Sequence, residues 1–232
     1  MYPQPPPSNT RPAGYSRLLE EFQVRALPHD IEVYVANTHS RSQQVVDGRT
    51  RRIVPAPQWP GDDTYSHLKF ALRYEGLHLG ILRAVLPRLD PVELAAQIRA
   101  EPTGAYARRI WFLTESFTGT PLDLPDLTMG NYTPLADPEA VYTSTIRRSA
   151  RHRVAMNLLG DLDFCFLLRR TTELAHADAQ RFDITCEKLM QEVPPEIFQR
   201  TLDYLYSKET RSSFAIEHET QSWRGETEPK GS

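Results

Sequence analysis

Residues 62–86 read DDTYSHLKFALRYEGLHLGILRAVL. Leu68, Leu72, Leu79, Leu82 and Leu86 follow one another at intervals of three, four or seven residues, the period of an amphipathic helix. Asp62 and Asp63 supply the short acceptor side chains that open a helix, Pro87 stops the pattern, and Gly76 marks an internal break. Two more helical segments follow at once. DPVELAAQIRAEP (90–102) has Asp90 as N-cap, Pro91 at the first helical position and Pro102 as terminator. GAYARRIWFLTESFTG (104–119) places Tyr106, Ile110, Leu113 and Phe117 on one stripe, with Gly119 just past its end. Three helices in succession predict a mainly α chain. The expected fold is a bundle-like helical domain with a small N-terminal portion that has room for β-structure, and with long irregular loops.

Towards the N-terminus the pattern weakens. IEVYVAN (31–37) alternates like a short strand, Asp47-Gly48 is a hairpin signal, and PAPQWPGDD (55–63) reads as a linker. Residues 1–14 hold five prolines and little apolar content, the composition of a disordered arm. Towards the C-terminus, 120–146 is a long crossing loop rich in Pro, Asp, Gly and Asn. Helices are expected over 171–190 and from Pro194-Pro195 onward, the last with Ile197, Leu202, Leu205 and Tyr206 on its apolar face. The expected organisation is a disordered arm (1–14), a small α/β segment (15–60), a helical domain (61–219) and a disordered tail (220–232).

Composition narrows the function classes. The 232 residues are 40% hydrophobic, and 27 basic against 30 acidic side chains leave a formal charge of −3. No global positive field is available to recruit nucleic acid or an anionic membrane. Cys165 and Cys186 form no CxxC, no apolar run approaches the ~18 residues of a membrane span, and the first residues lack a secretory h-region. A soluble cytoplasmic protein is expected, with no membrane partner. The histidines at 29, 39, 67, 78, 152, 176 and 218 form no HExxH or other ligand spacing, so no metal site is expected. GxxxxGK[ST], GxGxxG and GxSxG are absent, and no catalytic residue is assigned. Arg147, Arg148, Arg151 and Arg153, with His152 among them, form a basic contact patch. Clustered Arg suits phosphate contacts, but no aromatic platform interleaves this run. A solvated face, or pairing with an acidic segment such as LDLPD (122–126), is favoured over nucleic acid.

The stretch YSKETRSSFAIEHE (206–219) resembles the inhibitory helix of Fic proteins, enzymes that transfer AMP from ATP to hydroxyl side chains of target proteins. Its motif is [S/T]xxxE[G/N], and Ser213 to Glu217 fits the first five positions. The ordered set ARRIWFLTESFTG, LDLPD, GNYTPLAD, RHRVAMNLLGDLDFC is similar to the region that precedes the catalytic core in one bacterial Fic subgroup. The resemblance spans roughly residues 60–219. It implies that Glu217 is an inhibitory carboxylate, pairing with an arginine of the catalytic loop HxFx[D/E]GNGRxxR where the ATP γ-phosphate would be held. Ser213 would support it from the same helical face, and Phe214 and Ile216, being apolar, would dock the helix. His218 departs from the Gly or Asn of the pattern, and either of those residues closes a helix more readily.

No HxFx[D/E]GNGR occurs in the 232 residues. The resemblance therefore implies the autoinhibitory, non-catalytic part of an AMPylation enzyme, inactive alone, as a truncation or frameshift would leave it. ATP and Mg2+ are implied only for the missing core, with no cofactor for this chain. The expected partner is a Fic core, in cis or in trans, and a target protein is a further one. Alternatives are a helical protein-interaction scaffold without inhibitory activity, or a nucleic-acid binder through Arg147–Arg153.

Overall fold

The computed structural model describes residues 7–27, 29–37, 40–192 and 194–216, with the backbone alone at 192 and 209–216. The chain divides into two compact units between Arg170 and Thr171. Its class is mixed α/β, which corrects the expectation of a mainly α, bundle-like fold: two mixed sheets accompany the helices.

The first sheet contains β1 (Thr10–Ala13), β2 (Ile31–Ala36), β3 (Ser42–Val46) and β4 (Arg49–Pro55), in the order β1-β2-β4-β3. β3 and β4 form the hairpin that Asp47-Gly48 predicts, both turn residues having positive φ. β2 runs parallel to β4, and β1 pairs antiparallel with β2. The arm expected to be disordered thus contributes a strand. Pro12 argues against that assignment in sequence, but β1 is an edge strand, where a residue without an N–H costs no ladder bond. One face of this sheet buries Ala13, Val33, Val35 and Val54 against Phe70.

The helices of this unit are α1 (Tyr15–Glu21), α2 (Thr64–Tyr74), α3 (Leu79–Val85), α4 (Pro91–Ala100) and α5 (Ala105–Thr118). The Asp63 side chain accepts from Ser66 N at 2.8 Å, Asp90 accepts from Val92 N and Glu93 N, and Gly119 closes α5 in the left-handed conformation. The expected break at Gly76 separates α2 from α3, with φ 92° at that residue. Leu68, Ile81, Leu82, Leu86, Ile98, Ile110 and Trp111 meet in one core, to which Tyr15 and Leu18 of α1 also belong. A second sheet has β5 (Thr133–Pro134), β7 (Val154–Met156) and β6 (Arg147–Ser149) in spatial order, and its β5 lies within the 120–146 stretch expected to be irregular. Its proline strand is again at an edge.

One close approach ties β1 and α1 to the break between α2 and α3. Gly14 has φ 59°, and a Cβ there would lie 1.7 Å from Glu75 Oε1. Both Glu75 carboxyl oxygens accept from Tyr15 N at 3.2 Å, and Tyr15 donates its hydroxyl to Gly76 O at 2.8 Å. Only glycine allows the chain to pass so close to a buried carboxyl group.

The second unit holds α6 (Thr172–Ala179), α7 (Phe182–Glu192) and α8 (Pro195–Ile216). The single helix expected over 171–190 breaks at Arg181, whose φ is 48°. Phe182, Leu189 and Met190 of α7 and Ile197, Tyr204, Leu205 and Tyr206 of α8 are exposed.

Candidate functional site

The basic run is divided between solvent and an internal network. Arg147 and Arg148 lie exposed on β6, with the Arg148 guanidinium 5.2 Å from the Tyr132 ring centre. Arg151 turns inward to Glu115 of α5, donating from Nη2 to Oε1 at 2.9 Å and from Nε to Oε2 at 3.0 Å. It also donates to the carbonyls of Leu122 and Leu124, each at 3.0 Å, and pairs with Asp126. The LDLPD segment is therefore its partner, through two carbonyls and one carboxylate. Arg153, at φ 51°, is held by the carbonyls of Leu127 and Thr128. Two of the four arginines are thus engaged by the 120s segment, which Arg151 also ties to α5, and both are occupied by internal partners.

Glu115 is the centre of this network. It also accepts from Trp111 Nε1 at 2.6 Å and Leu122 N at 2.8 Å, and meets His152 Nε2 at 2.9 Å. Burial pushes its pKa up, but the Arg151, Trp111 and Leu122 donors and the nearby His152 more than reverse this and hold it at about 2. Burial lowers the pKa of His152, with Glu115 opposing. The neutral ring therefore keeps its proton on Nε2 towards the carboxylate, and Nδ1 accepts the Ser149 hydroxyl at 2.7 Å.

Ser149, His152 and Glu115 have the composition of a hydrolytic triad but not its setting. The Arg151 fork covers the carboxylate, and the His152 ring is buried edge-on between Trp111 and Phe112 at 4.7 and 5.4 Å. A nucleophile needs an open face for substrate, and this cluster is a strut.

The first four positions of the Fic-like motif lie at the end of α8, a helix of 22 residues. Ser213, Phe214 and Ile216 belong to its last turns by backbone, while Glu217, His218 and the tail at 220–232 lie outside the described residues.

A third feature escaped sequence reasoning. A cavity of about 470 Å3 opens in the first unit, lined by His29, Glu75, His78, Arg109, Leu135 and Val141 among others. His29 Nε2 donates to Glu75 O at 3.0 Å, and the His29 and His78 rings meet edge to face at 5.2 Å. Burial, with His78 adding, lowers the His29 pKa to about 4, while burial raises that of Glu75 above its ordinary value despite the Tyr15 N–H. The His29 ring is uncharged at neutral pH. His29 sits in a loop and His78 caps α3 by accepting from Ile81 N at 3.2 Å, so no spacing announces the pair.

No family model matches the chain, and no curated protein or solved structure is significantly similar to it. Among the described residues, no group of three or more His, Cys, Asp or Glu is placed to hold a metal ion, and no helix is long and apolar enough to cross a membrane.

Proposed function

We propose that this chain is the regulatory region of a Fic protein adenylyltransferase, in which Glu217 occupies the place of the ATP γ-phosphate in a Fic catalytic core. The observation that carries the reading is the position of SSFAI, the residues just before Glu217, at the end of a long helix whose earlier turns expose Ile197, Tyr204, Leu205 and Tyr206. A helix with that much apolar surface is built to be covered by another body. A tethered carboxylate and a phosphate are both anions that an Arg fork accepts, so one excludes a productive pose of the other. The 232 residues contain no HxFx[D/E]GNGR. The chain supplies the blocking anion, and the core supplies ATP, Mg2+ and catalysis. Arg151 and Arg153, spent on internal partners, weaken the nucleic-acid alternative.

The test mixes the chain with a Fic core lacking its own inhibitory helix and follows AMP transfer to a target protein. Wild type inhibits, Glu217→Gly does not, and Ser213→Ala inhibits less. Equal inhibition by wild type and Glu217→Gly contradicts the reading. Loss of binding on deletion within the 120–146 loop, with Glu217→Gly silent, favours the protein-interaction scaffold instead.

A further inference from the structure

Arg109 of α5 lines the cavity. Its Nε donates to Pro134 O at 2.8 Å, and its guanidinium lies 5.4 Å from the Tyr106 ring centre. Among the described residues no carboxylate lies within ion-pair distance of it, although it is half-buried and lines the cavity. Burial lowers its proton affinity, with Tyr106 and Asp137 opposing. The other cation of the lining, Arg169, is neutralised by Asp30 at 3.1 Å, and both stand partly exposed. Asp137 also lines the cavity and acts on Arg109 from beyond ion-pair distance, so Arg109 is the lining arginine without a direct carboxylate partner, and its Nη fork remains available for a planar anion.

The walls are preorganised and largely apolar. Leu72 and Leu135 are buried, and Leu79, Val141 and Leu167 complete the hydrocarbon surface. The segment between α2 and α3 is pinned by Tyr15, which donates to Gly76 O and accepts from His78 N at 3.2 Å. A volume of about 470 Å3 falls in the range of small-molecule sites. A phosphate dianion would need further cationic donors, whereas a single Arg fork over apolar walls suits a monoanion.

We propose that this cavity binds an apolar monocarboxylate, its carboxylate on the Nη fork of Arg109 and its hydrocarbon body against Leu72, Leu79, Leu135 and Val141. The site is independent of the Fic-like helix, since every residue of it belongs to the first unit.

The probes are naphthalene-2-carboxylate and its uncharged carboxamide, titrated calorimetrically into the full chain. Cys165 lines the cavity and Cys186 is exposed on α7, so alkylation of the two thiols by iodoacetamide gives a second readout. The carboxylate is expected to bind about tenfold or more tightly than the carboxamide, the weight of a charge-assisted hydrogen-bond pair. It should slow alkylation of Cys165 and leave Cys186 unchanged. Arg109→Gln should remove the preference, and Arg109→Lys should retain part of it. Equal affinities for the two probes in wild type overturn the proposal, as does failure of either to saturate or full reactivity of Cys165 under bound carboxylate. These wild-type results decide the matter even if Arg109→Gln fails to fold.

Discussion

Replacing Glu115 with Gln removes the charge around which Arg151, His152, Trp111 and the Leu122 amide are gathered. The carboxylate side chain is 12% exposed, and its pKa falls from the ordinary 4.5 to about 2. At ~1.4 kcal/mol per pKa unit, the ionised group contributes about 3 kcal/mol at neutral pH. Because the folded pKa is depressed, this stability is present above about 4.5 and is lost as pH falls towards 2. Glu115→Gln should therefore cost about 3 kcal/mol at pH 7, and less than half of that at pH 3. Urea unfolding followed by tryptophan fluorescence measures both, since Trp111 is fully buried in the core of the first unit. A loss below about 1 kcal/mol at pH 7, or an equal loss at both pH values, would refute the reasoning.

Glu75 predicts the opposite dependence. Burial raises its folded pKa above 4.5, so the favourable neutral form is fully present below that value and is lost as pH rises towards the folded pKa. Glu75→Gln, which keeps an acceptor for Tyr15 N without an ionisation cost, should raise the melting temperature relative to wild type more at pH 8 than at pH 5; a uniform change at both sinks the assignment. Gly14→Ala combines a left-handed φ with a steric collision at Glu75 and should cost about 2 kcal/mol or more. Gly48→Ala, also at positive φ but in open space, should cost only about 1 kcal/mol, and equal costs in chemical denaturation would contradict the close approach.

The helices of the first unit were legible because their boundaries rest on local chemistry: Asp63 and Asp90 as caps, Gly76 at the break, Gly119 at the close. The sheets were less legible for a physical reason. β5, β6 and β7 are two or three residues long, too short to show alternation, and β1 carries a proline tolerated only because of its edge position. Within the candidate sites, the LDLPD partnership of Arg151 could be read as charge complementarity. The part of Glu115 could not, since a carboxylate on an amphipathic helix looks like a solvated residue until a hairpin folds over it. The cavity left no trace either, because His29, His78 and Arg109 come from three separate elements and only tertiary packing brings them together.

The central claim is that Glu217 and the ATP γ-phosphate compete for one arginine. Its most direct measurement is the affinity of the labelled chain for a Fic core lacking its own inhibitory helix, taken without nucleotide, with ADP and with a non-hydrolysable ATP analogue. The account predicts binding that ADP leaves unchanged and the ATP analogue weakens, with the difference lost in Glu217→Gly. Binding affected equally by both nucleotides, or equally sensitive to the ATP analogue in wild type and Glu217→Gly, would contradict it.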